Sequence, residues 1–325
     1  MPSLRSRLFV GFLKHRHLLQ GRWRRTTEVY EGTLIPSLRA EAERGAKAFG
    51  RLPKSVQLEK TTLGSLQAEW LLPRGATRPP EAALLYFHGG GLVLGSAASH
   101  RGIVAKFVVG SGEAALVPDY ALAPERPFPA ALDDAVAAYR HLLAEGIAAH
   151  KIVCMGDSGG GNLCLSLLLA LREEGLPMPA GAVTLSAWTD LTNSGASWQD
   201  NAELDSLCWA DAQTHFAAMY AAGQDPAQAL ISPLFGELEG LPPLLMFVGG
   251  HETMRDDTLR FAARAEAAGV EVTTRVGEGL FHCYPVCTPL FPEAKAAAAE
   301  ICAFIRRRIR DPRTPSPTAP GASAR

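Results

Sequence analysis

The segment Lys151-Ile-Val-Cys-Met-Gly-Asp-Ser-Gly-Gly-Gly-Asn-Leu163 decides how this chain folds. An apolar run is followed by glycines around Ser158 and then by an apolar helical pattern, which predicts a strand, a tight turn and a helix. A serine at the apex of such a turn is held in a strained conformation that exposes its hydroxyl group. Gly156 and Gly160 leave room where a Cβ would crowd the turn. The first N–H groups of the helix suit a developing negative charge.

Strand-like and helical segments alternate through most of the chain. The predicted strands are Leu66–Leu72, Leu84–Phe87, Ala114–Val117, Ile152–Met155, Ala182–Leu185, Leu244–Val248 and Val270–Val276. The predicted helices are Gly102–Val109, Ala131–Glu145, Leu163–Arg172, Thr258–Ala268 and Glu293–Arg310. Apolar strands that alternate with amphipathic helices predict an α/β fold with a mostly parallel central sheet, flanked by helices on both faces.

Two regions interrupt this alternation, and we expect them to form a helical cap. Residues 1–55 would be its N-terminal helical part, with a helical pattern from Glu28 to Gly50, and residues 188–240 its insertion. The catalytic α/β core would then comprise residues 56–187 and 241–310. Residues 311–325 are rich in Pro, Ser, Thr, Ala and Gly, so we expect a disordered tail.

The insertion is rich in aromatic residues. A segment of this kind at the carboxyl edge of a parallel sheet is where a lid over a pocket would lie. The candidate pocket-lining residues are Trp188, Trp209, Phe216 and Tyr220. The alternative is that these side chains pack the core of the cap.

Composition excludes several classes of protein. The chain has 325 residues and a net charge of −1, so we expect no general attraction to nucleic acid. No apolar run approaches the ~20 residues that a membrane span needs. The six cysteines lack metal-ligand spacing, which favours buried, reduced thiols, a cytoplasmic location and no metal.

The N-terminus is basic. The first 25 residues contain Arg5, Arg7, Lys14, Arg16, Arg22, Arg24 and Arg25 and no acidic residue. The run from Leu8 to Leu13 is too short for a signal peptide and has no small-residue cleavage site. We favour an amphipathic helix that packs its Leu, Phe and Val side chains on the body of the protein. Peripheral contact with an anionic membrane remains the alternative.

A candidate base and acid follow two predicted strands. A serine hydroxyl is a poor nucleophile until a base removes its proton. His282 lies on a glycine-containing loop after the last predicted strand, and Glu252 follows the strand before it. Both therefore belong to the same sheet edge as Ser158, in the chain order nucleophile, acid and histidine. Asp256 is the alternative acid, and a surface histidine and a solvated carboxylate are the alternatives without chemistry.

A glycine run could supply donors for an oxyanion. His88-Gly-Gly-Gly91 follows the predicted strand Leu84–Phe87. It lacks the Lys-Ser/Thr of a phosphate-binding loop and the spacing of a dinucleotide-binding turn. We expect the N–H groups of Gly89, Gly90 and Gly159 to form an oxyanion hole.

Together these motifs resemble the hormone-sensitive-lipase-like (bacterial family IV) carboxylesterases of the α/β-hydrolase fold. The matching segments are His88 to Gly91, Asp119-Tyr-Ala-Leu-Ala-Pro-Glu125 with Pro127 to Ala131, Gly156 to Gly160, and Glu252 to Asp257 with His282. The resemblance implies a Ser158–Glu252–His282 triad, an oxyanion hole and a cap. It further implies hydrolysis of short- to medium-chain carboxylic esters through an acyl-enzyme, without a cofactor.

The chain departs from the pattern of that family at several positions. It has Gly159 where alanine is common, Ala121 where arginine is usual, Glu252 where aspartate is frequent, and Cys283-Tyr284 after the histidine. Gly159 would act through its backbone, and glutamate can orient the same imidazole. The loss of the arginine puts some local packing in doubt.

Two other functions stay open from the sequence. One is a ligand-binding protein on the same fold, but such receptors lack the histidine that this chain has at 282. The other is an amide, carbamate or lactone hydrolase, since the same triad serves those reactions. The expected partner is a small-molecule ester. The sequence leaves open a homodimer, the natural substrate and the preferred acyl chain length.

Overall fold

The computed structural model describes residues 2–19, 35–49, 52–208 and 210–310. The strands are β1 (Val56–Leu63), β2 (Leu66–Pro73), β3 (Ala83–Phe87), β4 (Ala114–Pro118), β5 (Ile152–Asp157), β6 (Gly181–Leu185), β7 (Leu244–Gly249) and β8 (Val272–Gly277). The helices are α1 (Leu4–Leu19), α2 (Ile35–Phe49), α3 (Ala97–Ser111), α4 (Ala130–Ala144), α5 (Gly159–Glu173), α6 (Ser197–Asp200), α7 (Ala210–Ala221), α8 (Arg255–Ala267) and α9 (Pro292–Arg310).

The eight strands form one sheet in the order β1-β2-β4-β3-β5-β6-β7-β8. Strands β3 to β8 are mutually parallel, and β1 and β2 join one edge in antiparallel pairing. The prediction of a mostly parallel sheet is confirmed. Because parallel strands end at one edge, the loops after β3, β5, β6, β7 and β8 meet there.

The sequence analysis missed β1. Its residues, Val-Gln-Leu-Glu-Lys-Thr-Thr-Leu, are alternately exposed and partly buried, and only the two ends are fully buried. An edge strand that is polar along most of its length has no apolar run to mark it. The prediction for α3 began at Gly102, but the helix starts at Ala97, because the Ser96 side chain accepts the Ser99 N–H and caps it.

Helices cover both faces of the sheet. On one face α3 and α9 bury Phe107, Ile301 and Phe304, and on the other α4, α5 and α8 bury residues such as Tyr139, Leu167 and Phe261. These clusters use the apolar side chains of the central strands, which are buried on both sides as a parallel sheet requires.

The N-terminal helix packs only partly as expected. Phe9, Val10 and Leu13 of α1 contact the core on the α3–α9 face. The ring centroid of Phe9 lies 5.5 Å from that of Phe281 and 5.8 Å from that of Phe291. By contrast, Leu4, Leu8 and Phe12 are exposed, so the predicted packing on the body is found for Phe9, Val10 and Leu13 and not for these three side chains.

The second expected cap region contains α6, α7 and a short 3-10 helix (Pro233–Phe235), with no strand among its described residues. Near the N-terminus, α2 lies beside the loop after β3. Arg39 on α2 donates to the carbonyls of Val93 and Ala123 and pairs with Glu125. Trp209, the first residues of the predicted helix from Glu28 to Gly50, and the predicted disordered tail lie outside the described residues.

All six cysteines are free thiols, and five are buried. Within the described ranges, no group of three or more His, Cys, Asp and Glu side chains could hold a metal ion. None of the described helices combines the length and the apolar character that crossing a bilayer demands.

Candidate active site

Ser158 stands alone between β5 and α5 in a strained conformation. Its φ of 53° and ψ of −121° lie in a region that L-residues rarely adopt. Its N–H donates to the Leu185 carbonyl at 2.8 Å, and its carbonyl accepts the Trp188 N–H at 3.2 Å. The two backbone segments on either side of Ser158 pack closely against each other, since a Cβ on Gly156 would collide with the Gly160 carbonyl. The turn therefore holds Ser158 in place by tight packing as well as by hydrogen bonds.

An acid and a histidine lie in contact at the same edge. Glu252 follows β7 and is fully buried, and His282 follows β8. The Nδ1 of His282 lies 2.7 Å from Oε2 of Glu252, where it donates its proton. This bond leaves Nε2 as the nitrogen that can accept a proton. Asp256, the alternative acid, instead accepts the Ser197 N–H and pairs with Arg255.

Ser186 is a functional residue that the sequence analysis missed. Its Oγ donates to the other carboxylate oxygen of Glu252, Oε1, at 2.6 Å and accepts the Cys283 N–H at 2.9 Å. Its own N–H donates to the Phe247 carbonyl at 2.7 Å. The signal in the sequence was its place as the first residue after an apolar strand, where polar side chains of a parallel sheet gather.

The end of β6 joins the nucleophile turn to the histidine loop. The Leu185 carbonyl accepts the Ser158 N–H and also the Sγ–H of Cys283, the residue after His282, at 3.4 Å. Ser158, Glu252 and His282 therefore share anchors on two consecutive residues, Leu185 and Ser186. The structure brings these three residues to the same edge of the sheet.

The pKa of His282 lies well above its usual 6.5. Burial lowers it, but the interactions with Cys208, Cys283 and Glu252 outweigh that effect. Burial raises the pKa of Cys208 to about 12 and that of Cys283 to about 11. Both thiols are therefore protonated at neutral pH, so the charge that acts on the imidazole is the Glu252 carboxylate.

Asp157, the residue before the serine, fixes the start of the glycine run through hydrogen bonds. Its Oδ1 accepts the Tyr86 hydroxyl at 2.7 Å and the Gly89 N–H at 3.0 Å. A Cβ on Gly89 would collide with its Oδ2. The expected role of Gly89 as an oxyanion donor is therefore wrong, because its N–H is already donated to a buried carboxylate.

The remaining donors lie further along the glycine run. A Cβ on Gly159 would lie 2.9 Å from the Gly91 nitrogen and 2.8 Å from the Leu92 nitrogen, so the run packs directly against the start of α5. In the part of the chain that the structure describes, the N–H groups of Gly90, Gly91 and Gly159 donate to no protein acceptor. A cluster of unpaired N–H groups at a helix N-terminus can stabilise a negative charge.

His88 supports this loop through packing. Its ring stacks on Tyr120 with centroids 4.3 Å apart, and the Tyr120 hydroxyl donates to the His88 carbonyl at 2.6 Å. Burial lowers the pKa of His88 to about 3, so the ring is neutral. The Asp119–Glu125 segment therefore fixes the glycine run, and at the usual arginine position Ala121 is buried, with its N–H donated to Asp134.

The candidate pocket aromatics lie in different surroundings. Phe216 lies against the glycine run, since a Cβ on Gly91 would be 2.6 Å from its Cδ2 atom. Trp188 is fully buried and donates its indole N–H to Asn193. Tyr220 is also fully buried and packs edge-on against Phe128 with ring centroids 5.9 Å apart. Trp209 lies outside the described residues.

Known proteins match most of the chain. A family model described as alpha/beta hydrolase fold matches residues 84–286. An acetyl-hydrolase of Streptomyces hygroscopicus is 40% identical over 267 residues, which is 81% of this chain and 87% of that protein. An esterase of Acinetobacter venetianus is 33% identical, covering 82% of this chain and 88% of that protein.

Solved structures are similar over nearly the whole chain. An esterase from the bacterial hormone-sensitive lipase family superposes with a TM-score of 0.85 at 37% identity, covering 95% of this chain and 99% of that one. The esterase EstE5 soaked with p-nitrophenyl butyrate superposes with a TM-score of 0.86 at 35% identity, covering 95% of this chain and all of that one.

A second carboxylate–imidazole pair lies under the glycine run, where His100 Nε2 is 3.6 Å from Asp157 Oδ2. Burial opposes both charges. Even so, the Asp157 carboxylate raises the pKa of His100, and His100 and Tyr86 lower the pKa of Asp157. The Asp157 contribution to stability is present above pH ~3.8 and is lost as pH falls through the lowered pKa. The His100 contribution is present below pH ~6.5 and is lost as pH rises through the raised pKa.

We therefore expect Asp157→Asn to lower the thermal midpoint most between pH ~4 and ~6.5, and less at pH 9, because both groups contribute fully to stability across that window. Asparagine keeps an oxygen that can accept from Tyr86 and Gly89, so the substitution removes the charge and keeps these two hydrogen bonds. Thermal melts across pH measure the effect, with the double variant Asp157→Asn/His100→Gln as control. An Asp157→Asn deficit that stays constant from pH 5 to 9 would contradict the pairing.

Proposed function

Because the chain belongs to the alpha/beta-hydrolase fold family, among the carboxylic ester hydrolases related to hormone-sensitive lipase, we propose that Ser158, His282 and Glu252 act as its catalytic triad. The observation that carries this proposal is the hydrogen bond from His282 to buried Glu252 at the sheet edge where the strained Ser158 turn ends. A nucleophile, a base and an orienting acid in this chain order are what acyl transfer on such a sheet requires.

Acylation begins when Nε2 of His282 accepts the proton of the Ser158 hydroxyl. The Ser158 oxygen forms a bond to the ester carbonyl carbon, and the carbonyl electrons move to oxygen as a tetrahedral oxyanion. When the oxyanion collapses, the bond to the alkoxy group breaks, and that group leaves as an alcohol with the proton from His282. Glu252 holds the imidazole in the required tautomer and stabilises its positive charge.

Deacylation repeats these steps with water. His282 accepts a proton from the water, whose oxygen attacks the acyl-enzyme carbonyl. The second oxyanion collapses, the bond to Ser158 breaks, and the serine recovers its proton as the carboxylic acid leaves. All bonds and protons balance within the triad, the ester and water, so the mechanism asks for no cofactor.

The oxyanion hole in this proposal comprises the N–H groups of Gly90, Gly91 and Gly159. Gly91 replaces Gly89 in the sequence-based set, since the Gly89 N–H is donated to Asp157. Among the described residues no acceptor is bound by these three donors, and Gly159 packs on Gly91, which supports this assignment. Removing one such donor typically costs about 10²–10³ in kcat.

The cap and the substrate preference belong to the same proposal. We infer that residues 1–55 and 188–240 form the cap over the α/β core of residues 56–187 and 241–310. Phe216, beside the glycine run, would limit the space for the acyl chain. Trp188 and Tyr220, both fully buried, would pack beneath the pocket. This arrangement favours short- and medium-chain esters.

The first prediction of this proposal concerns the nucleophile. Ser158→Ala is expected to lower kcat/KM for p-nitrophenyl butyrate to below about a thousandth of the wild-type value, because no other hydroxyl would occupy the apex of the turn. Ser65→Ala, an exposed serine in the β1–β2 turn, is the matched control and should keep full activity. Residual turnover above a thousandth in a correctly folded Ser158→Ala protein would overturn the assignment.

The second prediction concerns the pH profile. His282 must be neutral to act as a base, so its raised pKa places the acid limb of kcat/KM above pH 6.5. Glu252→Gln removes the charge that raises this pKa, so the limb should move to lower pH while kcat falls. Ser186→Ala keeps the carboxylate charge but removes one hydrogen-bond donor, and it should move the limb less. A Glu252→Gln limb that stays in place or moves to higher pH would contradict the proposed pairing.

The third prediction concerns the acyl chain. With p-nitrophenyl acetate, butyrate, octanoate and palmitate, we expect kcat/KM to be highest for butyrate or octanoate and lowest for palmitate. Phe216→Ala should raise the octanoate-to-acetate ratio by about tenfold, which is what relief of a tight apolar contact provides. Phe235→Ala, which removes an exposed phenylalanine from the same insertion, is the control. An unchanged ratio would place Phe216 outside the acyl site.

A further inference from the structure

Helix α1 has two apolar faces, and only one of them is covered. Phe9, Val10 and Leu13 pack against the core, and Ser3 and Ser6 at the start of the helix donate to Glu293 at the start of α9. These contacts fix the helix in one orientation on the body. The side chains on its opposite face are therefore held away from the core by the same packing.

That opposite face carries a row of large apolar side chains. Leu4, Leu8 and Phe12 are spaced four residues apart, so they lie above one another on one side of the helix. Their exposed fractions are 68%, 66% and 53%, the first two being higher than for any other exposed large hydrophobic residue of the described chain. Scattered exposed leucines are ordinary on protein surfaces, but an aligned row on one helix marks an interaction surface.

Cations flank this row on both sides. In a helical projection Arg5 lies on one side of the row and Arg7 and Lys14 lie on the other. Arg5 and Arg7 are exposed, and Lys14 is partly exposed. The helix contains no acidic residue, and the nearby Glu293 is turned toward Ser3 and Ser6. We define the outer face of α1 as Leu4, Leu8 and Phe12 with Arg5, Arg7 and Lys14.

A groove on the same side of the sheet is also lined by cations. On the side of the sheet that α1 covers, an open groove of about 440 Å³ between α3 and α9 is lined by Lys106, Lys295 and Arg306 and by no carboxylate. Since the whole chain has a net charge of −1, this concentration of cations is local and not a property of the composition.

We propose that the outer face of α1 docks on anionic phospholipid membranes. Apolar side chains inserted between lipid headgroups, with arginine and lysine beside them at the level of the phosphates, form the arrangement by which interfacial helices bind. The charge complementarity favours this partner over a second copy of the chain, which would bring an identical cationic helix against the first. The sequence alone favoured packing of this helix on the body over membrane contact, and the exposed row shows that one face is left for an interaction.

Docking through this face would place the active-site edge near the lipid. Phe9 contacts Phe281, the residue before His282, and a Cβ on Gly279 of the same loop would be 2.9 Å from Pro2. This consequence rests on the proposed function, because it supplies esters dissolved in the bilayer to the triad. Membrane binding itself does not depend on the triad, so the two can fail separately.

The test is co-sedimentation of the full chain with vesicles of phosphatidylglycerol or of phosphatidylcholine. We expect the protein to bind phosphatidylglycerol vesicles at least tenfold more tightly than phosphatidylcholine vesicles. Added salt should weaken this binding. Leu8→Glu/Phe12→Glu should reduce that binding at least tenfold, and Arg5→Gln/Arg7→Gln should reduce it mainly at low salt. The matched controls are Leu259→Glu on α8 and Lys60→Gln/Arg140→Gln, exposed positions away from α1.

A loss of membrane binding must be distinguished from a loss of folding. The melting temperature should be unchanged in the α1 variants, and Leu8→Ser/Phe12→Ser replaces the glutamate pair if the latter lowers it. Equal binding of variant and wild type to phosphatidylglycerol, or no vesicle binding at all, would overturn the proposal. So would a wild-type dimer in light scattering that Leu8→Glu/Phe12→Glu dissociates, since the face would then bind a second copy of the chain.

Discussion

The carbonyl of Leu185 and the hydroxyl of Ser186, at the end of β6, hold the parts of the site together. The first accepts the N–H of Ser158, and the second binds the carboxylate of Glu252 and the N–H of Cys283 beside His282. The three loops come from strands far apart in the sequence. A parallel sheet brings their ends to one edge, and these two residues then fix the positions of the side chains relative to each other. The geometry of the site therefore depends on a strand that contributes none of the proposed triad.

Two buried carboxylates bracket Ser158, and each is paired with a histidine. Glu252 faces His282 and raises its pKa, which adjusts the proposed base. Asp157 faces His100 and binds the Gly89 N–H, which fixes the loop that carries the proposed donors. Burying a charge is costly unless hydrogen bonds satisfy it, and both carboxylates accept a hydroxyl and a backbone N–H in addition to the imidazole. The Glu252–His282 pair thus serves the proposed chemistry, and the Asp157–His100 pair supports the glycine loop.

Much of this arrangement could be predicted from the sequence, because it follows from local patterns. The turn at Ser158, the parallel strands, and the places of Glu252 and His282 after their strands depend on apolar periodicity and glycine spacing. The Gly89 hydrogen bond to Asp157 and the hydrogen bond from Ser186 to Glu252 could not be predicted, because each joins residues more than sixty positions apart. Strand β1 was missed because it lies at the edge of the sheet and is polar along most of its length, so no apolar run marks it. The outward face of α1 was also missed, because apolar spacing alone cannot say which of two faces is covered.

The central claim is that an ester transfers its acyl group to Ser158. Its most direct test is to mix the protein with p-nitrophenyl butyrate, quench it in acid within the first turnover, and locate the added mass in a digest. The account predicts a butyryl group on the peptide that contains Ser158, formed together with a burst of p-nitrophenol and absent from Ser158→Ala. Acyl mass on another residue, or full steady-state turnover with no covalent adduct and no burst, would contradict it.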